Sequence, residues 1–166
     1  MRKFERISFR QFARDTLDGN YDDIKLPVRK TRYSAGYDFI SFKEVVIKSG
    51  EIKKIPTGIK VVCEEDEFLA IVVRSSMGFK RNIRMCNQVG IIDKDYYNNL
   101  DNEGHIWICL QNEGNEDFII KKGDSFAQGI FLKYLLTDDD DEMSTRSGGI
   151  GSTDRRDSNG KRKVLY

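Results

Sequence analysis

Between about Phe39 and Leu136 the chain is a succession of short apolar runs broken by turn-forming residues. Glu44-Val45-Val46-Ile47 leads into Ser49-Gly50, Ile52 to Ile55 into Pro56-Thr57-Gly58, and Ile59-Lys60-Val61-Val62-Cys63 into an acidic, turn-like stretch. Phe68 to Val73 is apolar throughout, rich in β-branched residues and too short for a helix, which reads as a buried strand. Ile106 to Leu110, Phe118 to Ile120 and Phe126 to Leu132 continue the series. Short, evenly spaced strands with turns between them predict an all-β sandwich or jelly-roll barrel over residues 25–136. Helix is scarce. Ser8 is placed to cap a short helix within residues 1–24, with Phe9, Phe12 and Ala13 on one face. No repeat of fixed period is present.

Composition narrows the class. A chain of 166 residues is long enough for one domain with a real core plus extensions. Its formal net charge of +1 hides a local segregation: Asp138 to Asp141 and Glu142 form an acidic run over residues 137–145, and residues 146–166 carry six basic against two acidic side chains. Like charges in a block repel one another, so the acidic run reads as a solvated linker rather than a metal site. The balanced total argues against a nucleic-acid coat or a membrane-surface protein, leaving only weak contact with nucleic acid open to the basic tail. Cys63, Cys86 and Cys109 form no Cys-x-x-Cys pair, which fits buried small hydrophobes in a reducing cytoplasm better than a disulfide framework or a zinc site. There is neither an apolar leader after Met1 nor a stretch of membrane-spanning length, so the expected location is cytoplasmic.

Candidate chemistry is sparse and dispersed. Arg146-Ser147-Gly148-Gly149-Ile150-Gly151-Ser152-Thr153 combines glycines that let backbone N–H groups converge on an anion with a guanidinium and hydroxyls suited to phosphate oxygens. It lacks the Lys-Ser/Thr pair opening a helix that a Walker loop requires, so it reads as a flexible C-terminal arm over a polyphosphate. The single histidine, His105, has no nucleophile elbow or zinc-deaminase motif to work with. It follows the turn-like Asn102-Glu103-Gly104, which predicts a solvent-facing side chain, whereas Trp107 reads as core. Four further stretches each place polar groups at a strand end: Ala35-Gly36-Tyr37-Asp38, Arg74-Ser75-Ser76-Met77-Gly78, Gly90-Ile91-Ile92-Asp93-Lys94-Asp95-Tyr96 and Gly123-Asp124-Ser125-Phe126-Ala127-Gln128. Asp93, directly after apolar residues, is expected to be partly desolvated and able to act as a base.

These five stretches, in this order over roughly residues 25 to 154, resemble the five motifs of the trimeric deoxyuridine triphosphatase (dUTPase) family. The resemblance implies a jelly-roll subunit in a homotrimer with shared active sites, and hydrolysis of dUTP to dUMP and pyrophosphate with Mg²⁺. Such an activity limits uracil in DNA and supplies dUMP for dTMP synthesis. It implies that Asp93 activates the attacking water and contacts the sugar 3′-hydroxyl, and that Tyr96 packs on the deoxyribose where a 2′-hydroxyl would clash. Asn87, Gly90 and Ile91 are implied in the uracil pocket, Arg74, Ser75, Ser76 and Gln128 on the phosphates, and Asp38 on waters of the Mg²⁺ shell. Arg146, Gly151, Ser152 and Thr153 are implied in closing the arm over the γ-phosphate.

The chain also departs from the pattern. After Tyr96 it continues Tyr97-Asn98 and a polar stretch to Gly104, so the hairpin region is longer than usual, and Ile150 stands where many members place an aromatic lid over uracil. Arg146 is one residue nearer Gly149 than in the longer form of the arm, and residues 155–166 extend past the usual end. Two alternatives are open at this level. A dCTP deaminase relative would carry its catalytic glutamate where Cys109 stands. A nucleotide-gated regulatory protein would use the same pocket to control a protein partner, with residues 1–24, the Asn98–Glu103 insertion and the basic tail as contact surfaces.

Overall fold

In the computed structural model, described over residues 1–15, 18–146 and 148–150, the short apolar runs become strands of antiparallel sheets. In chain order the elements are β1 (Lys3–Arg6), α1 (Phe9–Asp15), β2 (Tyr37–Ile40), β3 (Val45–Ile47), β4 (Ile52–Pro56), β5 (Ile59–Val62), β6 (Glu67–Val72), α2 (Ser75–Arg81), β7 (Ile83–Met85), β8 (Gly90–Ile92), β9 (Trp107–Asn112), β10 (Phe118–Ile120) and β11 (Ser125–Lys133). The four-stranded sheet runs β2-β11-β6-β8, the three-stranded one β4-β9-β7, and two strand pairs, β1-β5 and β3-β10, complete the jelly roll. No described helix is long and apolar enough to cross a membrane.

Alternation decides which side chains fill the interior. On β9, Ile108, Leu110 and Asn112 are buried while Trp107, Cys109 and Gln111 are half-buried on the opposite face. The inward residues meet Phe39, Ile55, Leu69, Ile71 and Phe126 in one continuous core. Asn112 is tolerated inside because its amide donates to the Ile47 (2.9 Å) and Glu116 (2.8 Å) carbonyls and its oxygen accepts from the Gly114 N–H (3.0 Å).

Several sequence expectations are corrected by packing. Ser8 does accept from the Gln11 N–H (3.1 Å) at the start of α1, but Phe9 is 66% exposed and Ala13 exposed; Gln11 and Phe12 face inward. Residues 3–6 form an additional barrel strand, pairing Lys3 with Val62 through Arg6 with Ile59. The polar stretch at the end of β6 opens a seven-residue helix, α2, anchored by buried Met77. Trp107 is half-buried rather than core, and of the cysteines only Cys63 is fully buried.

His105 is the largest correction: it is wholly buried. Its Nε2 accepts from the Gly58 N–H (2.9 Å), which assigns the ring proton to Nδ1, and Nδ1 donates to Asp15 (2.6 Å). Burial holds its pKa below the ordinary imidazole value, opposed by Asp15 and Glu103.

Candidate active site

One group of predicted residues converges on a cavity of about 310 Å³ bounded by Asp38, Arg74, Ser75, Ser76 and Gln128, joined there by Lys30, Ser34 and Gly36. The sheet ladder builds this group. Gln128 on β11 is the register partner of Asp38 on β2 and of Val72 on β6. Arg74 leaves β6 extended and caps α2, so Ser75 and Ser76 begin a first turn whose N–H groups lack intrahelical partners. The Arg74 Nε lies 3.4 Å from Asp38 Oδ2, and its Nη1 donates to the Ser125 carbonyl (3.3 Å). Asp38 is 5% exposed, and its Oδ2 is buried with no hydrogen-bond partner. Arg74 offsets its charge, but an oxygen buried without a hydrogen bond is left for a polar ligand to complete. The Gln128 amide donates to the Val73 carbonyl (3.4 Å). Its oxygen lies where a Cβ on residue 36 would stand, which is why glycine occupies that position.

A second group collects at the opposite edge of the same sheet. β8 pairs with β6 through Ile71 with Gly90 and Ala70 with Ile91, which presents the Asn87–Val89 turn and half-exposed Ile91 at the sheet edge. Asp93 follows directly, with a side chain 49% exposed, so it is less desolvated within one chain than its apolar flank suggested. Tyr96 is buried; its hydroxyl donates to the His105 carbonyl (3.1 Å) and accepts from Asn102 (2.8 Å), and burial raises its pKa.

The inserted polar stretch after Tyr96 is a self-bonded loop. Asn99 donates to the Tyr96 carbonyl (2.8 Å) and accepts from the Asp101 (3.0 Å) and Asn102 (3.1 Å) N–H groups. Gly104 adopts φ +79°, and a side chain there would strike the Tyr96 carbonyl oxygen. The N-terminal segment grips this loop. Ser8 donates from N–H (2.9 Å) and hydroxyl (2.6 Å) to Glu103, and Arg14 donates to the Asp101 carbonyl (2.9 Å).

The start of the arm lies on this second group. Arg146 Nη2 donates to Asp93 (3.2 Å), its Nε faces Asp95 (3.6 Å), and its guanidinium stands 5.5 Å over the Tyr96 ring. The Gly149 N–H donates to Asp101 (2.7 Å), and Ile150 is exposed. Gly151, Ser152, Thr153 and residues 155–166 lie outside the described residues. Lys30, Ser34, Asp95 and Asp101 escaped the sequence reading; the Arg29-Lys30-Thr31-Arg32 run before the first motif was the available signal for Lys30.

A family model described as dUTPase matches residues 22–154. The deoxyuridine 5′-triphosphate nucleotidohydrolase of Lactococcus lactis subsp. lactis (strain IL1403) is 45% identical over 132 residues, 78% of this chain and 88% of that protein. That of Rickettsia felis is 39% identical over 135 residues, 77% of this chain and 87% of its own. The crystal structure of the dUTPase from Streptococcus mutans aligns at a TM-score of 0.69 and 36% identity, over 81% of this chain and 98% of that one. The dUTPase from phage phi11 of S. aureus shares the fold at a TM-score of 0.65 and 18% identity, over 89% and 99% of the two chains. With five ordered motifs, a jelly roll that gathers four of them into two polar clusters, and a family match across most of its length, the chain belongs to the dUTPase family.

Proposed function

We infer that the protein hydrolyses dUTP to dUMP and pyrophosphate in the cytoplasm, limiting uracil in DNA and supplying dUMP, through sites completed between neighbouring subunits of a homotrimer. The observation that carries the shared site is topological. Asp38 lies on β2 and Asp93 directly follows β8, the two edges of the β2-β11-β6-β8 sheet. Strands are spaced about 4.8 Å apart, so three intervals separate the two carboxylates by roughly 14 Å across the sheet. A triphosphate held by Arg74, Ser75, Ser76 and Gln128 of one chain would meet the Asp93 and Tyr96 of another.

In that site Asp93 takes the proton of the attacking water as the bond between the α- and β-phosphates breaks and pyrophosphate leaves. Arg74, Ser75, Ser76 and Gln128 supply cation and hydrogen-bond donors to the phosphate oxygens, with Lys30 at the rim of the same cavity. Tyr96 packs on the deoxyribose; its hydroxyl is committed to His105 and Asn102, leaving the ring in place against a 2′-hydroxyl. Asn87 and the backbone at Gly90 and Ile91 offer hydrogen bonds to uracil, which discriminate bases better than apolar shape does. The Asp38 oxygen, ion-paired with Arg74 but accepting no hydrogen bond, suits water ligands of a Mg²⁺ ion, which binds phosphates with only one or two protein carboxylates. That ion, when bound, neutralises charge on the phosphate oxygens. For Arg146 to reach a terminal phosphate with Gly151, Ser152 and Thr153, it must release Asp93.

The deciding experiment incubates the protein with each deoxynucleoside triphosphate and Mg²⁺ and quantifies pyrophosphate, alongside the mass of the assembly in solution. Pyrophosphate from dUTP alone and a mass of three chains are expected. Ammonia from dCTP, or full activity from a monomer, would overturn the reading.

A further inference from the structure

Outside both clusters, one pair of nucleophiles has no place in the hydrolysis. On the outward face of the β4-β9-β7 sheet, Lys54 is the register partner of Cys109. The β7–β9 register, which pairs Met85 with Leu110, continues one residue to set Cys86 opposite Cys109, where the Cys86 N–H donates to the Cys109 carbonyl (3.0 Å). Both side chains are half-buried, and the Cys109 thiol donates to the Cys86 sulfur across 3.4 Å. We propose that Cys86 and Cys109 are a reversible dithiol site, closed to a disulfide by a low-molecular-weight disulfide, whose state sets how tightly the adjoining hairpin holds uracil.

The backbone already permits the bond. Directly paired residues of antiparallel strands have Cα atoms about 4.5–5.5 Å apart, inside the range of about 4.4–6.8 Å that disulfides span. Only side-chain torsions and a small approach of the strands are needed. A metal is a poorer occupant: structural zinc takes about four ligands, and among the described residues no group of three or more His, Cys, Asp or Glu side chains is placed to hold a metal ion.

The chemistry has an order. The Cys109 thiol donates its proton toward the Cys86 sulfur, a hydrogen bond that favours a thiolate at Cys86, so Cys86 opens the exchange. The Cys86 thiolate attacks one sulfur of the small disulfide and expels the first small thiol. Cys109 then gives up its proton and attacks the Cys86 sulfur, expelling the second. Two protein thiols are oxidised by two electrons and the small disulfide is reduced to two thiols.

The coupling to function rests on the reading of Asn87 and Gly90 as uracil contacts. Cys86 is the foot of the turn that carries them. That turn is tight: Gln88 sits at φ 60° and the Val89 N–H donates to the Asn87 carbonyl (2.6 Å). Closing the sulfurs from 3.4 Å to a bonded separation of about 2.05 Å draws Cys86 toward β9, and a stiff turn passes the shift to Asn87.

The test treats the full-length protein with oxidised glutathione. The products are mapped by mass spectrometry, and the KM and kcat for dUTP are measured before and after. A Cys86–Cys109 peptide bridge is expected, with KM raised about tenfold and kcat within about twofold, as for a loss of binding shared equally by ground state and transition state. Dithiothreitol should reverse both, and Cys109→Ser should carry a glutathione adduct on Cys86 with no bridge. Stable adducts on both sulfurs without a bridge, no reaction at either, or a bridge that leaves KM unchanged would each overturn the proposal. Failure of the hydrolase reading would show separately, as a reduced protein that does not turn over dUTP before oxidant is added.

Discussion

The phosphate-side and nucleoside-side clusters occupy the two edges of one sheet, yet the chain builds them by different means. Asp38 and Gln128 face each other because β2 and β11 are in register, so their geometry is set by backbone ladder bonds that also hold the core. Asp93 and Tyr96 stand on connecting segments: Asn99 and Asn102 of the 97–104 loop hold Tyr96, Ser8 and Arg14 grip that loop, Asp15 holds His105, and Arg146 donates to Asp93. A register-built site is rigid and intolerant of added atoms. A loop-built site depends on remote partners and is sensitive to their loss. In the first cluster Asp38 pairs with Arg74 yet keeps an oxygen that accepts no hydrogen bond, whereas in the second Asp93 accepts one from Arg146.

The sharpest way to break this comparison is to disable each edge separately. Asp93→Asn should retain nucleotide binding but lose turnover by about 10³-fold or more, since it removes the group that takes the proton. Gln128→Ala, on the other edge, should mainly weaken phosphate binding. If the edges belong to one composite site, an equal mixture of the two variants in exchanging trimers should recover about a quarter of wild-type activity, because one interface in four pairs two intact halves. Activity no greater than the sum of the separate variants would mean that each chain completes its own site.

A smaller effect probes rigidity. Gly36→Ala would push its Cβ into the Gln128 side chain and swing the amide from the cavity. An expected fall in kcat/KM of about ten- to a hundredfold, with little change in melting temperature, distinguishes a displaced ligand group from a damaged fold. Combined with Gln128→Ala, it should add little further loss, because both changes remove the same contact.

Much of the fold could be read directly from sequence where the signal was long enough. β6, β9 and β11 announce themselves by the apolar runs Phe68 to Val73, Ile106 to Leu110 and Phe126 to Leu132. β7 and β8 are three residues each, too short to show a period, and are defined only by their partners β9 and β6. α2 contains Ser75, Ser76 and Gly78, poor helix formers, and forms because tertiary packing buries Met77. The motif residues of the phosphate side were legible as a set, but their meeting in one cavity depends on the β2-β11 register. Lys30 reaches the same cavity from a loop whose path no local pattern specifies. A turn ordinarily signals exposure, but the one before His105 folds back under α1, and Gly58, a glycine with φ +73°, supplies the N–H that meets the ring.

That buried histidine gives the smallest and most specific test of the loop-built side. The folded protein binds a proton at His105 less readily than the unfolded chain, because burial depresses the imidazole pKa. Its contribution is therefore complete above the ordinary imidazole range near pH 6.5 and is lost as pH falls from there toward the lower folded value. Protonation would also turn Nε2 from acceptor to donor, facing it against the Gly58 N–H. Glu103, which receives the Ser8 bonds, has a lowered pKa and stays ionised through this interval, so His105 titrates there without it. Thermal melts should show the wild-type melting temperature dropping by a few degrees between about pH 7 and pH 5.5. His105→Asn should melt lower throughout but stay flat over the same interval. An equal drop in the variant would remove His105 as the source, and with it the claim that Asp15 and Gly58 hold a neutral ring behind Tyr96.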